Sequence, residues 1–303
     1  MQLSYRKLFT DLHQIDYSVV RNGSTLYLCL QGELSLQKRL HKAFKSAELF
    51  YPLIPENTYK PISFANEERN NLSTALFLNV EGGFISDFFK VVPKEWQYAC
   101  GKKTGRALNL MHSAEAVSKP QNAKKRHASF MEKLAEYVAY LPHFKNDRYA
   151  MDALSSRYDN FSLFKPVMRY GALRHQKLMI SRDSQILFLP SSAYGPGDCC
   201  EDFALLEFES AGLYPVFCAG VIDGYFSGLV PSKFWMHFAL YSALYSLWKA
   251  GKYAQRGKDQ KIKMQLNVDR IAEDFNHFEK PVPNWYLSDE VQKIKEKLKY
   301  HPL

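Results

Sequence analysis

Between Pro166 and Phe203 the chain reads PVMRYGALRHQKLMISRDSQILFLPSSAYGPGDCCEDF. Arg174, His175 and Lys177 place three basic side chains within one short stretch. Arg and Lys are natural ligands of phosphates and carboxylates. A histidine beside them can give or take a proton near neutral pH. The plainer reading is a cationic loop turned to solvent. Asp198 follows the turn Gly195-Pro196-Gly197 and stands three residues before Glu201. That is the pattern of a helix N-cap with a capping box, and it explains both carboxylates without a metal. Asp183, within Ser181-Arg182-Asp183-Ser184, reads as the turn of a hairpin over 178–189. The five cysteines (29, 100, 199, 200 and 218) contain no C-x-x-C pair, and adjacent Cys199 and Cys200 are not a zinc signature. They read as reduced thiols.

The same stretch resembles the catalytic core of the aminoglycoside phosphotransferase and choline-kinase-like family, small-molecule kinases with a protein-kinase-like fold. That family reads roughly H-G-D-x-H-x-x-N, a hairpin, and then I-D-F-x-x-x-x-x-G-D. Tyr170 stands for the first His, and Gly171 matches. Ala172 stands for the catalytic Asp, Arg174 for the second His and Lys177 for the metal-binding Asn. Pro190 stands for the second metal-binding Asp, while Gly197 and Asp198 match the closing G-D. Phosphoryl transfer needs a carboxylate to take the acceptor's proton, and an Asn and an Asp to hold Mg²⁺. Ala172 and Pro190 can do neither. Lys177 is worse than neutral, since a cation about 4 Å away opposes each unit of metal charge by roughly 4 kcal/mol at an effective dielectric near 20.

The flanks extend the resemblance over roughly 25–286. Gly101-x₃-Gly105-x₂-Leu108-x₂-Met111-His112 is similar to the family's first long C-lobe helix. Glu81-Gly82-Gly83, after the apolar run Ala75–Leu78, is similar to its interlobe hinge. Phe217–Phe226, Val230-Pro231-x₂-Phe234-Trp235 and Pro281-Val282-Pro283-Asn284-Trp285-Tyr286 are similar to its late helical segments. In kinases the strand equivalent to Leu26–Leu30 carries a Lys that pairs the phosphates and a Glu on the next helix. The resemblance puts Cys29 at the Lys position and Glu48, in the helical run Leu40–Leu53, at the Glu position. Side chains alternate along a strand, so Tyr27 shares a face with Cys29 and would fill part of the adenine pocket. No G-x-G-x-x-G phosphate loop is present, and Asn22-Gly23 before the strand is a hairpin signal.

These elements predict an α+β, bilobal, protein-kinase-like chain. Residues 1–80 form a sheet-rich N-lobe with one helix, 81–83 a hinge, and 84–286 a helical C-lobe holding the degenerate loop 166–203. Residues 287–303 form an amphipathic helix whose apolar stripe, Val291, Ile294 and Leu298, is expected to pack on its own domain. With 303 residues and 46% hydrophobic content the chain can bury a large core. The longest apolar run, Phe234–Ala250, is broken by His237 and Lys249, so no membrane span is expected. The N-terminus lacks a signal-peptide core, and a cytoplasmic location is expected. The net charge is +9, with clusters at Lys102-Lys103-Arg106, Lys124-Lys125-Arg126, Lys249–Lys263 and the tail. Such a field attracts acidic partners, but no RNA-binding motif supports a nucleic-acid role.

The function expected is that of a pseudokinase. No cofactor is expected, and Mg-ATP binding should be lost or weak. The partner would be a protein, or a small phosphate-bearing or acidic ligand in the interlobe cleft. The candidate binding residues are Arg174, His175, Lys177, Glu48 and Tyr27. The alternative is a small-molecule phosphotransferase, or another enzyme of phosphate ligands, with a metal-independent site.

Overall fold

A computed structural model describes residues 4–114, 123–157 and 166–300, the side chains of 123–127 and 300 excepted. The basic run Lys124-Lys125-Arg126 therefore lies outside the described side chains. The chain forms two compact units. The first comprises Met1–Val91, Leu110–Ala114 and Tyr170–Gly195; the second comprises Val92–Asn109, Glu115–Arg169 and Pro196–Leu303.

The first unit is built on a five-stranded antiparallel sheet in the order β1-β2-β3-β5-β4. Its strands are β1 (Ser4–Thr10), β2 (Asp16–Asn22), β3 (Thr25–Glu33), β4 (Lys60–Glu67) and β5 (Leu72–Leu78). The Asn22-Gly23 signal makes the turn it announces. Asn22 pairs with Thr25, and Gly23 takes a φ of +61° at the first turn position, where glycine escapes the steric cost other residues meet. Helix α1 (Gln37–Phe50) buries Leu40, Ala43, Phe44 and Ala47. These side chains pack with Leu28 and Leu30 of β3 and with Ala75 and Phe77 of β5 in one core. Burying each of the larger aliphatic or aromatic side chains contributes about 1.5–3 kcal/mol.

The core does not stop at residue 80. A second sheet sets β6 (Gly82–Phe84) beside β8 (Leu178–Ser181) and β9 (Ile186–Phe188). Met179, Leu187 and Leu189 join the same core. The segment 170–195, expected with the helical C-lobe, thus belongs to the first unit, because its hairpin pairs with the Gly82–Phe84 strand. The hairpin turn falls where Asp183 places it, with Ser184 at a φ of +58°.

The second unit is helical. After the short α2 (Ile85–Phe89) of the first unit, it contains most of α3 (Lys94–His112), then α4 (Ala123–Tyr140) and α5 (Arg148–Arg157), and a short strand β7 (Pro166–Arg169). After it come α6 (Cys199–Leu206), a π-helical turn at Glu207–Ala211, α7 (Pro215–Tyr225), α8 (Ser232–Ala254) and α9 (Lys258–Asp274). Gly101 and Gly105 of α3 face Gly220 and Gly224 of α7 so closely that backbones touch. A methyl at Gly101 would lie 2.2 Å from the Phe217 carbonyl, and one at Gly224 would lie 2.2 Å from the Lys102 carbonyl.

Two buried polar clusters tie the C-terminal segments down. The Glu207 carboxylate accepts from Arg270 at 2.7 Å and from the Trp285 indole at 2.7 Å. Asp223 accepts from Tyr98 at 2.6 Å and from Tyr286, and pairs with Lys295 at 2.9 Å. The tail helix α11 (Asp289–Tyr300) follows a single turn, α10 (Asn284–Leu287). It buries Val291 and Ile294 and half-buries Leu298, the expected stripe. Residues 301–303 of that predicted segment lie outside the described ones.

Candidate functional site

The turn between β1 and β2 contains no glycine; it reads Asp11-Leu12-His13-Gln14-Ile15. The Asp11 carboxylate accepts from the backbone N–H of His13 at 2.8 Å and of Ile15 at 3.1 Å. This Asx turn closes the hairpin from within. Ile15 is tucked into the core, and Gln14 takes the left-handed conformation. On the two strands leaving the turn, Phe9 and Tyr17 are paired in register. Their rings stack at 4.4 Å with an interplanar angle of 11°.

Lys177 lies under this pair. It ends a 3₁₀ turn, His175–Lys177, which leads into β8. Its side chain is 95% buried (5% relative exposure), and the ammonium has no hydrogen-bond acceptor among the described residues. It faces the Tyr17 ring at 3.8 Å and the Phe9 ring at 4.9 Å. Burial pushes its pKa down to about 7; the Arg174 charge adds to this and the Asp11 charge opposes it. The two ring faces, which favour a cation, also act against the fall. The Tyr17 hydroxyl donates to the Pro190 carbonyl at 3.4 Å, and burial pushes its pKa up. Tyr17 therefore fills the space between Lys177 and Pro190. Tyr170, at the start of the same segment, donates to the Leu189 carbonyl at 2.7 Å. Gly171 follows with a φ of +71°, and a side chain there would strike the Ala193 carbonyl at 2.2 Å.

The residues singled out from sequence fare unequally. Ala172, His175 and Lys177 are buried in the first unit and Arg174 is half-buried there. Cys29 and Glu48 are not brought together. Leu28 and Leu30 are the β3 residues that pack on α1, so Cys29 and Tyr27 take the opposite face of the sheet. Burial there pushes the Cys29 thiol up to about 11. Glu48 is on the exposed side of α1 and pairs with Lys45 at 2.6 Å. Tyr27 is half-buried on that other face, opposite the one Tyr17 takes. β2 presents Tyr17, Val19 and Arg21 on the face where β3 presents Leu30, Leu28 and Leu26. The sequence signal was Phe9 and Tyr17 at matching distances from the turn.

A pocket of about 660 Å³ lies within the first unit. Val19, Leu26, Phe84, Phe88, Met179 and Ile180 give it apolar walls, and Arg6, Arg21 and Arg182 stand in its lining. Glu81 holds two of the arginines, Arg21 at 3.3 Å and Arg182 at 2.8 Å.

In the second unit, Asp198 caps α6 as its spacing announces. Its carboxylate accepts from Cys200 N–H at 2.9 Å, and Glu201 accepts from Asp198 N–H at 3.3 Å. Glu201 also pairs with Arg169 at 3.1 Å. Asp198, Cys199 and Cys200 are the grouping of metal-ligand atoms found among the described residues. The carboxylate is engaged as a cap, and burial raises both thiols, which keeps them protonated. No described helix is long and apolar enough to cross a membrane.

No protein-family model and no curated protein matches this sequence. Solved structures do match its fold. The GDP complex of wild-type aminoglycoside 2'-phosphotransferase-IIIa is 14% identical, with a TM-score of 0.64 over 88% of this chain and 92% of that one. A choline kinase from Streptococcus pneumoniae is 12% identical, with a TM-score of 0.55 over 88% and 92%. A fructosamine-3-kinase-like protein from Haemophilus somnus is 14% identical, with a TM-score of 0.57 over 88% and 90%. The chain has the α+β, protein-kinase-like fold of these small-molecule kinases.

Proposed function

We propose that this chain is a catalytically degenerate kinase-fold protein that works by binding, as a scaffold, a regulator or an accessory to a partner enzyme. One observation carries the reading: Tyr17 packs between Lys177 and Pro190, with the ammonium against its ring and the Pro190 carbonyl on its hydroxyl. By the sequence resemblance these two positions are the family's metal ligands. A magnesium nucleotide needs carboxylate or carboxamide oxygens there, and a buried ammonium beneath an aromatic ring opposes it. The residues present do not fit a bound magnesium ion. Ala172, at the position of the catalytic carboxylate, has no atom able to accept a proton.

Arg174 favours a second reading, a metal-independent enzyme of phosphate or acidic ligands. Its charge adds to burial in lowering the Lys177 pKa, while the Asp11 charge opposes it, so a second cation lies near the ammonium. The burial of Lys177 under Phe9 and Tyr17 weighs against it.

Thermal melting in millimolar ATP, with and without Mg²⁺, tests the first reading. Ligand at a hundred times its Kd stabilises by about 2.7 kcal/mol, a plainly visible shift. We expect no magnesium-dependent shift; a clear one would restore the phosphotransferase reading. An ATP effect that is independent of magnesium and lost in Arg174→Ala would favour the second.

A further inference from the structure

The geometry points to the pocket of the first unit as a binding site for a compact, flat, apolar acid: a ring system bearing one anionic group and no phosphate chain. The inference rests on the reading of this chain as a binding protein and names its ligand class. The volume, about 660 Å³, is that of a small-molecule site. Its apolar lining includes Leu26, Phe84, Met179 and Ile180. Its charge is positive: Arg6, Arg21 and Arg182 face two lining carboxylates. One of these, Glu81, is shared by two guanidiniums, and the other, Asp87, is held by Lys90 at 2.8 Å. Arg6 is exposed and joins no ion pair among the described residues. A guanidinium is a fork of donors suited to a carboxylate or sulfonate.

The upper limit on ligand length comes from three rings. Phe84 lines the pocket, meets Phe9 edge-on at 5.8 Å, and Phe9 stacks on Tyr17. A polyanionic chain leaving the pocket towards Lys177 would therefore meet aromatic carbon instead of hydrogen-bond donors. A single anionic group held by the arginines has no need of that path. Gly83 lines the pocket and adds a way to test occupancy, since a Cβ there would meet nothing within 4 Å and no backbone blocks the root of a larger residue.

Titration calorimetry on the full chain tests this with 2-naphthoate, its uncharged analogue 2-naphthamide, and ATP with Mg²⁺. We expect saturable one-to-one binding of naphthoate and at least tenfold weaker binding of the amide. Affinity should fall at least tenfold in an Arg6→Gln, Arg182→Gln double variant and be lost in Gly83→Trp, with unchanged circular dichroism confirming that both fold. Equal affinity for acid and amide, or unchanged affinity in the arginine variant, would overturn the inference. If the wild type binds neither naphthoate nor Mg-ATP, this inference alone falls. Magnesium-dependent displacement of naphthoate by ATP would overturn the binding-protein reading and this inference with it.

Discussion

Lys177 is a cation held where its charge is costly, and stability should record this as pH changes. Its pKa is about 7 in the folded chain against 10.5 for the free side chain. Between those values the unfolded chain binds more protons, so stability rises with pH across the window and the cost is full below it. Lys177→Met keeps the stem and removes the charge. We expect it to exceed the parent in urea-melt stability by about 1–3 kcal/mol at pH 6. The gain should shrink steadily towards pH 10, and a difference constant over that range would show that Lys177 does not titrate there. Tyr17 separates ring from hydroxyl. Tyr17→Ala empties a core site and should cost about 3–5 kcal/mol. Tyr17→Phe loses only a long hydrogen bond and should cost about 1 kcal/mol or less. Equal losses would mean that the hydroxyl, not the packed ring, holds the site shut.

Elements meet here in ways the sequence announces only when the signal is local. The capping box of α6 spans four residues, from Asp198 to Glu201, and was legible as spacing. So was the stripe of α11, because helical periodicity is local too. The side of β3 that packs on α1 was not legible. Alternation correctly pairs Tyr27 with Cys29, but it does not say which face is inward, and Leu28 with Leu30 won that face through contacts with α1 and β5. The spacing Gly101-x₃-Gly105 was visible, while its reason lies more than a hundred residues away at Gly220 and Gly224. That crossing leaves no room for side chains. Gly101→Ala should lower melting stability by at least about 2 kcal/mol, because the obstacle is backbone and cannot rotate aside. Gly83→Ala, into open space, should stay within about 0.5 kcal/mol. Similar melting temperatures for the two variants would mean that α3 and α7 do not cross so closely.

For the whole molecule, the α+β, bilobal architecture was legible from the order of motifs, while the grouping of Tyr170–Gly195 with the sheet-bearing unit was not. The family resemblance assigns Tyr170–Gly195 to the helical half, whereas its hairpin completes a sheet begun at Gly82. The filling of the site by Tyr17 was hidden for the same reason, since Tyr17 and Pro190 are 173 residues apart. The reading of the cysteines as reduced thiols carries a global test. All five are buried in the folded chain, so a thiol-specific reagent should modify them slowly in buffer and all five rapidly in denaturant; fast native labelling would contradict that packing. The glycine-free turn of the first hairpin also bears on repair. On the proposed reading, an acid at Ala172, an amide at Lys177 and a carboxylate at Pro190 would not suffice for a metal site, because Tyr17 still fills the space between Lys177 and Pro190. The Asp11 loop and Tyr17 would have to change first, and the new carboxylate at 190 would otherwise be trapped against an aromatic face. Loss of the Tyr17 ring alone, with Lys177 still in place, would expose an ammonium and supply no metal ligand. On that reading the replacements are coupled: exchanging one of Ala172, Lys177, Pro190 or Tyr17 leaves the others in place, so no single substitution supplies a metal site.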